Sequence, residues 1–354
     1  MKKQRIINAI YGHLVGDALG VPWEFKPRDY CVRNADKIRI DTDHRGEHGV
    51  KAGTYSDDGS LMIALVASLR EGVYNLQDIA DKSASWYYNS MHPFSSSDSV
   101  FDAGGVTIFA LGRVEKGQNP LTTGACDYGC NGNGSLMRIL PLAFYLAHKE
   151  NTTGEMGLDE HWRHIKEVSS FTHANLLSVL CCWFYTYVAM YLIEDEECTK
   201  KQAVGFALYD IHNFFSHTEW SDKIKELYET KEWKEFGKNI AYLWETSQGS
   251  EPSPFGEDWN AHCTEPLTFD NLPHNSGFVI NTLINAIYCF LKYDSYEEIV
   301  KHAVMLGSDT DTVACIAGGL AGLAYEVPQD MIDKTIAPDY VKKIIDDFAT
   351  TYGE

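Results

Sequence analysis

Basic side chains are scarce in this chain: 30 Lys and Arg stand against 50 Asp and Glu, a formal net charge of −20. That balance leaves no basic footprint, so neither a nucleic acid nor a membrane is an expected partner. It also means that an anionic ligand needs local positive help from cations, helix N-termini or a placed arginine. Disulfide-framework spacing is missing as well. The 9 cysteines are odd in number and scattered, with Cys181 and Cys182 adjacent inside an apolar run. Cys126 and Cys130 have no second Cys/His pair at zinc spacing nearby, so reduced thiols in a cytoplasmic protein are expected. The run Met1-Lys2-Lys3-Gln4-Arg5 is basic, but His13 and Asp17 interrupt the apolar stretch after it and no cleavage signature appears, which argues against a secretory signal. Leu176 to Ile193 carries no formal charge and is long enough to span a bilayer. It holds Ser178, Thr186, Tyr185, Tyr187 and Tyr191, and no second span accompanies it, so it reads as a buried central helix.

Strand-like alternation is nearly absent; a short stretch at Lys37-Ile38-Arg39-Ile40 is the one possibility. Helical spacing dominates instead, as in Ile6, Ile7, Ile10 and Leu14, or Leu61, Leu65 and Leu69. Further helices are expected over about 77–90, 101–116, 134–149, 173–193, 200–216, 222–229, 232–247, 277–292, 296–306, 311–325 and 338–350. The class is all-α, and without a linker or an internal repeat the chain reads as a single domain over residues 1–354. Gln248 to Pro273, rich in Gly, Pro, Ser and acidic residues, reads as a long loop. Gly12/Gly16 and Gly318/Gly322 each lie four apart on helical runs. An interior glycine costs a helix about 1 kcal/mol relative to alanine. A tight approach between the first and near-last helices is the expected compensation.

Two acidic clusters stand far apart, Ser56-Asp57-Asp58 and Asp309-Thr310-Asp311-Thr312, each just ahead of an apolar helical run. Taken singly, either is an ordinary N-terminal cap. Taken together, their carboxylates and hydroxyls suit hard divalent cations, which can polarise a sugar or phosphate and activate a water. If the fold joins them, the chain is a metal-dependent hydrolase. Glu24 comes after the helix stop at Gly20 and could serve as gate or general base, or be a solvated surface residue. Gly132, Asn133, Gly134 and Ser135 form a loop that offers amides to a phosphate, with Arg138 one turn into the next helix. His173 opens the long apolar helix, either to bind a ribose or phosphate or to satisfy a buried helix start. Phe278 offers a ring for stacking, or for the core.

In this order along the chain, the motifs resemble the ADP-ribosylglycohydrolase family. They are Gly16-Asp17-Ala18-Leu19-Gly20 with Pro22 and Glu24; Ser56-Asp57-Asp58; Gly132-Asn133-Gly134 with Met137-Arg138 and Pro141; Thr172-His173-Ala174; Ser276-Gly277-Phe278-Val279; and Gly307-Ser308-Asp309-Thr310-Asp311-Thr312. The resemblance implies an all-α orthogonal bundle. It implies two divalent cations, Mg2+ or Mn2+, on Ser56, Asp57, Asp58, Asp309, Asp311 and Thr312. Catalysis would fall to Glu24, matching a mobile family glutamate, together with Asp57, Asp58 and Asp309. Gly132, Asn133, Gly134, Ser135, His173 and Phe278 would hold the ADP-ribose. The implied partners are an ADP-ribosylated protein, foremost one modified on arginine, and free ADP-ribose, with the chain acting as a monomer. Ser56 stands where threonine is usual, Gly59 where threonine is common and Asn281 where aspartate is common. An ADP-ribose-binding pseudoenzyme, or an immunity protein that neutralises an ADP-ribosylating toxin, would keep the same pocket and remains the alternative.

Overall fold

The computed structural model describes residues 2–153, 157–216 and 267–353, with Lys231 besides. The helices expected over 222–229 and 232–247, and the Gln248–Pro273 loop up to residue 266, lie outside the described residues. Described residues 267–273 are irregular, as expected. The helices are α1 (Lys3–Gly20), α2 (Arg28–Arg33), α3 (Asp57–Leu69), α4 (Leu76–Tyr88), α5 (Gly105–Glu115), α6 (Leu140–Thr153), α7 (Leu158–Ser170), α8 (Leu176–Glu194), α9 (Lys200–Ser216), α10 (Val279–Lys292), α11 (Tyr296–Met305), α12 (Thr310–Ala324), α13 (Gln329–Lys334) and α14 (Asp339–Tyr352). No strand occurs among the described residues, and the fold is all-α. Lys37 ends a short 3-10 turn and Ile38 to Ile40 are irregular, so the possible strand there does not form.

Helices α1 and α12 form the spine of the molecule and make its most extensive helix pair. The glycines explain the closeness. A Cβ on Gly318 would sit 2.3 Å from the Gly12 carbonyl oxygen, and one on Gly16 would sit 2.2 Å from that of Ala314. Both helices bury residues around most of their circumference, as helices enclosed by other helices do. Helices α11 and α10 flank α12, while α3 packs on α4, α6 and α14. Helix α8, the long uncharged run, is the second buried element, wrapped by α6, α7, α9 and α10. Helix α7 was not expected from the sequence. Its polar composition hides the apolar stripe of Ile165 and Val168, which faces the core together with buried His161 and His164.

Several helices start later than the spacing indicates. Residues 101–104 are irregular, and α5 begins at Gly105. Gly134 to Arg138 form turns, and α6 begins at Leu140. His173 precedes α8, whose N-cap is Asn175.

Candidate active site

The spine brings the two acidic clusters together. Ser56 is the N-cap of α3, and its hydroxyl accepts from the Asp58 amide at 3.3 Å. The capping reading is therefore correct for Ser56, and it coexists with the site. Asp309 occupies the N-cap position of α12 without making a side-chain cap. The clusters meet where Thr312 Oγ1 donates to Asp58 Oδ2 at 3.3 Å and the Ser56 hydroxyl donates to the same oxygen at 2.9 Å. Asp17 from α1 holds the start of α3, accepting from the Ser56 amide at 2.9 Å and the Gly59 amide at 2.7 Å. A methyl group at Gly59 would press to 2.9 Å from that carboxylate, so glycine in place of threonine lets Asp17 reach in.

Glu24 arrives by a local zipper. The Phe25 amide donates to the Ser308 carbonyl at 2.7 Å, and the Ser308 amide donates back to the Lys26 carbonyl at 2.6 Å. Glu24 thus sits 5 % exposed beside the start of α12. Asp309 is fixed from the opposite side, where Asn133 Nδ2 donates to it at 2.7 Å. Gly277 passes so close, at φ +74°, that a Cβ would lie 3.2 Å from Asp309 Oδ2. The loop carrying Asn133 is held by its own exchange: the Asn133 amide donates to the Gly277 carbonyl and the Val279 amide to the Asn131 carbonyl, each at 3.0 Å.

The resulting crowd of carboxylates repels itself. Glu24, Asp309 and Asp311 offer oxygens within 4.8 Å of one another, as do Asp17, Asp58 and Asp311, and Asp57, Asp58 and Asp102. Burial, then the charges of Asp309 and Asp58, push Glu24 up to about 8. Burial and Asp309 bring Asp58 to about 7, and burial and Glu24 do the same for Asp102. Asp17, Asp57 and Asp311 rise well above the carboxylate range, chiefly by burial, and burial also raises Asp309. Asp311 Oδ2 is buried without a hydrogen-bond partner. Mostly carboxylate donors, clustered negative charge and an orphaned carboxylate oxygen are what a divalent cation would relieve.

Beside the carboxylates opens a cavity of about 260 Å³. Glu24, Asp57, Asp102, Asp309 and Thr312 form its acidic end, while Gly132, Asn133, Gly134, Met137 and His173 form the other side. The His173 ring fits only because its neighbours are glycines: a Cβ on Gly134 would lie 2.8 Å from it and one on Gly132 3.4 Å. Burial drives His173 down to about 3, so it presents a neutral imidazole. Three residues singled out in the sequence lie away from this lining. Ser135 does not line the cavity; its hydroxyl is buried, accepting from Ser169 Oγ at 2.9 Å. Phe278 lies outside the cavity lining and packs against Tyr128, ring centres 6.3 Å apart. Arg138 is fully buried below a turn, donating to the Val168 carbonyl at 2.9 Å and Thr172 Oγ1 at 2.8 Å, so it does not face a phosphate.

Sequence reasoning missed Asp17, His48, Asp102 and the first turn of α5. Gly104, Gly105, Val106 and Thr107 line the cavity, and Gly104 as N-cap has no side chain to occupy the free amides. A helix N-terminus thus opens on the cavity that the Gly132–Gly134 loop also lines. The Gly104-Gly105 pair soon after Asp102 was the available signal.

Comparison with known proteins gives the family. A family model, ADP-ribosylglycohydrolase, matches residues 1–354. The chain belongs to the ADP-ribosylglycohydrolase family. The ADP-ribosylarginine hydrolase Tri1 of Pseudomonas putida is 24 % identical over 345 residues, covering 96 % of this chain and 76 % of that protein. The ADP-ribosylhydrolase ARH3 of Homo sapiens is 22 % identical over 344 residues, covering 92 % of this chain and 86 % of that protein. A solved structure described as an ADP-ribosylglycohydrolase-related protein complex shares the fold at a TM-score of 0.65, with 20 % identity, over 99 % of this chain and 98 % of that one. As an ADP-ribosylglycohydrolase, the chain is a glycosidase-type enzyme of ADP-ribosyl linkages, with acidic clusters that can hold metal.

Proposed function

We propose that this protein hydrolyses the glycosidic bond between ADP-ribose and a protein side chain, arginine foremost, with the help of two divalent cations, Mg2+ or Mn2+, and that it works as a cytoplasmic monomer. The observation that carries the proposal is the convergence of Asp57, Asp58, Asp309 and Asp311 from two distant helix starts, with Asp311 Oδ2 left orphaned among them. Ser56, Asp57, Asp58, Asp309, Asp311 and Thr312 would hold the cations. Bound there, the cations would polarise ribose hydroxyls and lower the pKa of a water.

The protein's own groups do the rest. The amides of Gly105 and Val106, with those of Gly132 and Gly134, would take the pyrophosphate, which meets a strongly negative protein elsewhere. His173, neutral and wedged against Gly134, would donate to or accept from a ribose or phosphate oxygen. Asn133 steadies Asp309 while lining the same cavity. Glu24, held near Asp309, can carry a proton near neutral pH and would pass it between the attacking water and the departing side-chain nitrogen. Acidic walls at Glu24, Asp57 and Asp102 suit a cationic guanidinium as leaving group, which favours arginine over serine linkage.

The test is release of ADP-ribose from arginine-linked and serine-linked conjugates, with and without EDTA. We expect release from the arginine conjugate, abolished by EDTA and by Asp309→Ala, with far-UV circular dichroism unchanged in the variant. Equal release in EDTA would sink the metal reading.

A further inference from the structure

We propose that His48 is a positioning residue that seats the Glu24 carboxylate in the active site, a role that rests on the hydrolase reading above. His48 Nε2 lies 2.5 Å from Glu24 Oε2 and 3.8 Å from Asp102 Oδ1. A hydrogen bond of that length ties the imidazole to the nearer carboxyl whichever of the two carries the proton.

The segment around His48 is zipped onto the segment around Glu24 at consecutive positions. Gly46, at φ +61°, lies so close that a Cβ would stand 2.5 Å from the Pro22 carbonyl oxygen. Glu47 pairs with Lys26 through a short ion pair. His48 then meets Glu24. The first run leaves a 3-10 turn at Val21–Trp23 and the second is a turn, so these contacts set where the imidazole stands.

Two aromatic rings flank the histidine. The Phe25 ring centre is 5.7 Å from that of His48, and the Phe101 ring centre is 5.0 Å away on another side. Phe25 comes directly after Glu24 and Phe101 directly before Asp102, so each carboxylate brings its neighbouring ring to the same histidine. Phe25 is 60 % exposed and holds φ +63°. A bulky residue in that region is strained, and strain of this kind persists only where the surroundings enforce it. Here the Ser308 exchange enforces it, and the ring stands tilted beside His48. The His48 and Glu24 side chains are only 13 % and 6 % exposed, and a hydrogen bond so sheltered is stronger and narrows the range of Glu24 orientations.

Glu24 needs such a seat. It is buried beside Asp309, Asp311 and Asp102, and like charges at that range disfavour any one fixed position for its carboxylate. A carboxylate displaced by about 1 Å can cost on the order of a hundredfold in rate.

The test combines kinetics with a structural readout. His48→Ala and His48→Phe should each lower kcat on the arginine conjugate by about tenfold or more, with KM and ADP-ribose affinity held within about twofold. His48→Gln, whose amide nitrogen reaches nearly the same place, should recover most of kcat. In a Glu24→Gln background His48→Ala should add no further loss, because its effect runs through Glu24. In wild-type protein, the His48 Nε2 nitrogen resonance should shift when Glu24→Gln is introduced. Unchanged kcat in His48→Phe, or equal losses in both backgrounds, would overturn the role, as would a His48 resonance indifferent to Glu24→Gln. Wild-type protein that releases no ADP-ribose from any conjugate would instead overturn the hydrolase reading, and this role with it.

Discussion

At the residue scale, the acidic clusters were legible because they lie in unbroken runs ahead of apolar helices, whereas their supports were not. Asp17 stood in the Gly16–Gly20 motif, yet nothing local says that its carboxylate crosses to the amides of Ser56 and Gly59. Asp102 and His48 sit in irregular segments, and both meet Glu24, just beyond the end of the first helix. Such pairings depend on tertiary approach and leave no periodic trace. The same contacts set the outcome of two substitutions. Asp17→Ala would leave buried amides of Ser56 and Gly59 without an acceptor. Each such loss costs roughly 1–3 kcal/mol, partly offset by relief of repulsion with Asp58. We expect about 2 kcal/mol of destabilisation in urea titration, and weaker cation binding by calorimetry because the start of α3 loosens. Glu24→Gln removes the proton-carrying group and keeps the shape. Turnover should fall by about a hundredfold while ADP-ribose binding persists; wild-type turnover would remove Glu24 from the chemistry.

At the element scale, the glycine pairs on α1 and α12 were the most informative part of the sequence for the fold. Their spacing indicated a close helix pair, and the structure places Gly12 against Gly318 and Gly16 against Ala314. Helix starts were read less well. Periodicity extends an apolar stripe backwards into turns, as at Gly134–Arg138, where the buried Arg138 donates to the Gly134 carbonyl and regular helix begins only at Leu140. Helix α7 was overlooked because a few stripe residues in a polar segment resemble a surface loop. A substitution on the spine should be costly for a reason separate from helix propensity. Gly318→Ala gains about 1 kcal/mol of intrinsic helix preference, but its methyl group would stand 2.3 Å from the Gly12 carbonyl oxygen. Pushing apart a packed pair costs typically about 1–3 kcal/mol and sometimes more. We expect a net loss of about 2 kcal/mol by chemical denaturation, together with reduced cation affinity because α1 and α12 both feed the site. Gly129→Ala, where nothing lies within 4 Å of the new methyl, should stay within about 0.5 kcal/mol.

At the scale of the whole molecule, a chain of net charge −20 gathers its most acidic site at the junction of its central helices. Folding without cations therefore has a defined pH signature. Glu24 is raised to about 8, and Asp58 and Asp102 to about 7. A carboxyl whose folded pKa is raised contributes stability that is fully present below its unfolded pKa, about 4, and is lost as pH rises through the folded value. Buried histidines act in the opposite direction. His13 is lowered to about 3 and His161 to about 4, so their contribution is full above the unfolded value of about 6.5 and is lost as pH falls. In chelator these trends cross, and the melting temperature should peak at mildly acidic pH and decline from about pH 6 to about pH 8. Cations that bind only the folded protein raise stability by mass action. They also favour ionised carboxylates, so the increment should grow with pH. Scanning calorimetry at about pH 6, 7 and 8, with EDTA, Mg2+ or Mn2+, reads this directly. A melting temperature at the alkaline end that ignores both cations would mean that the acidic junction is a structural cost without a metal to answer it.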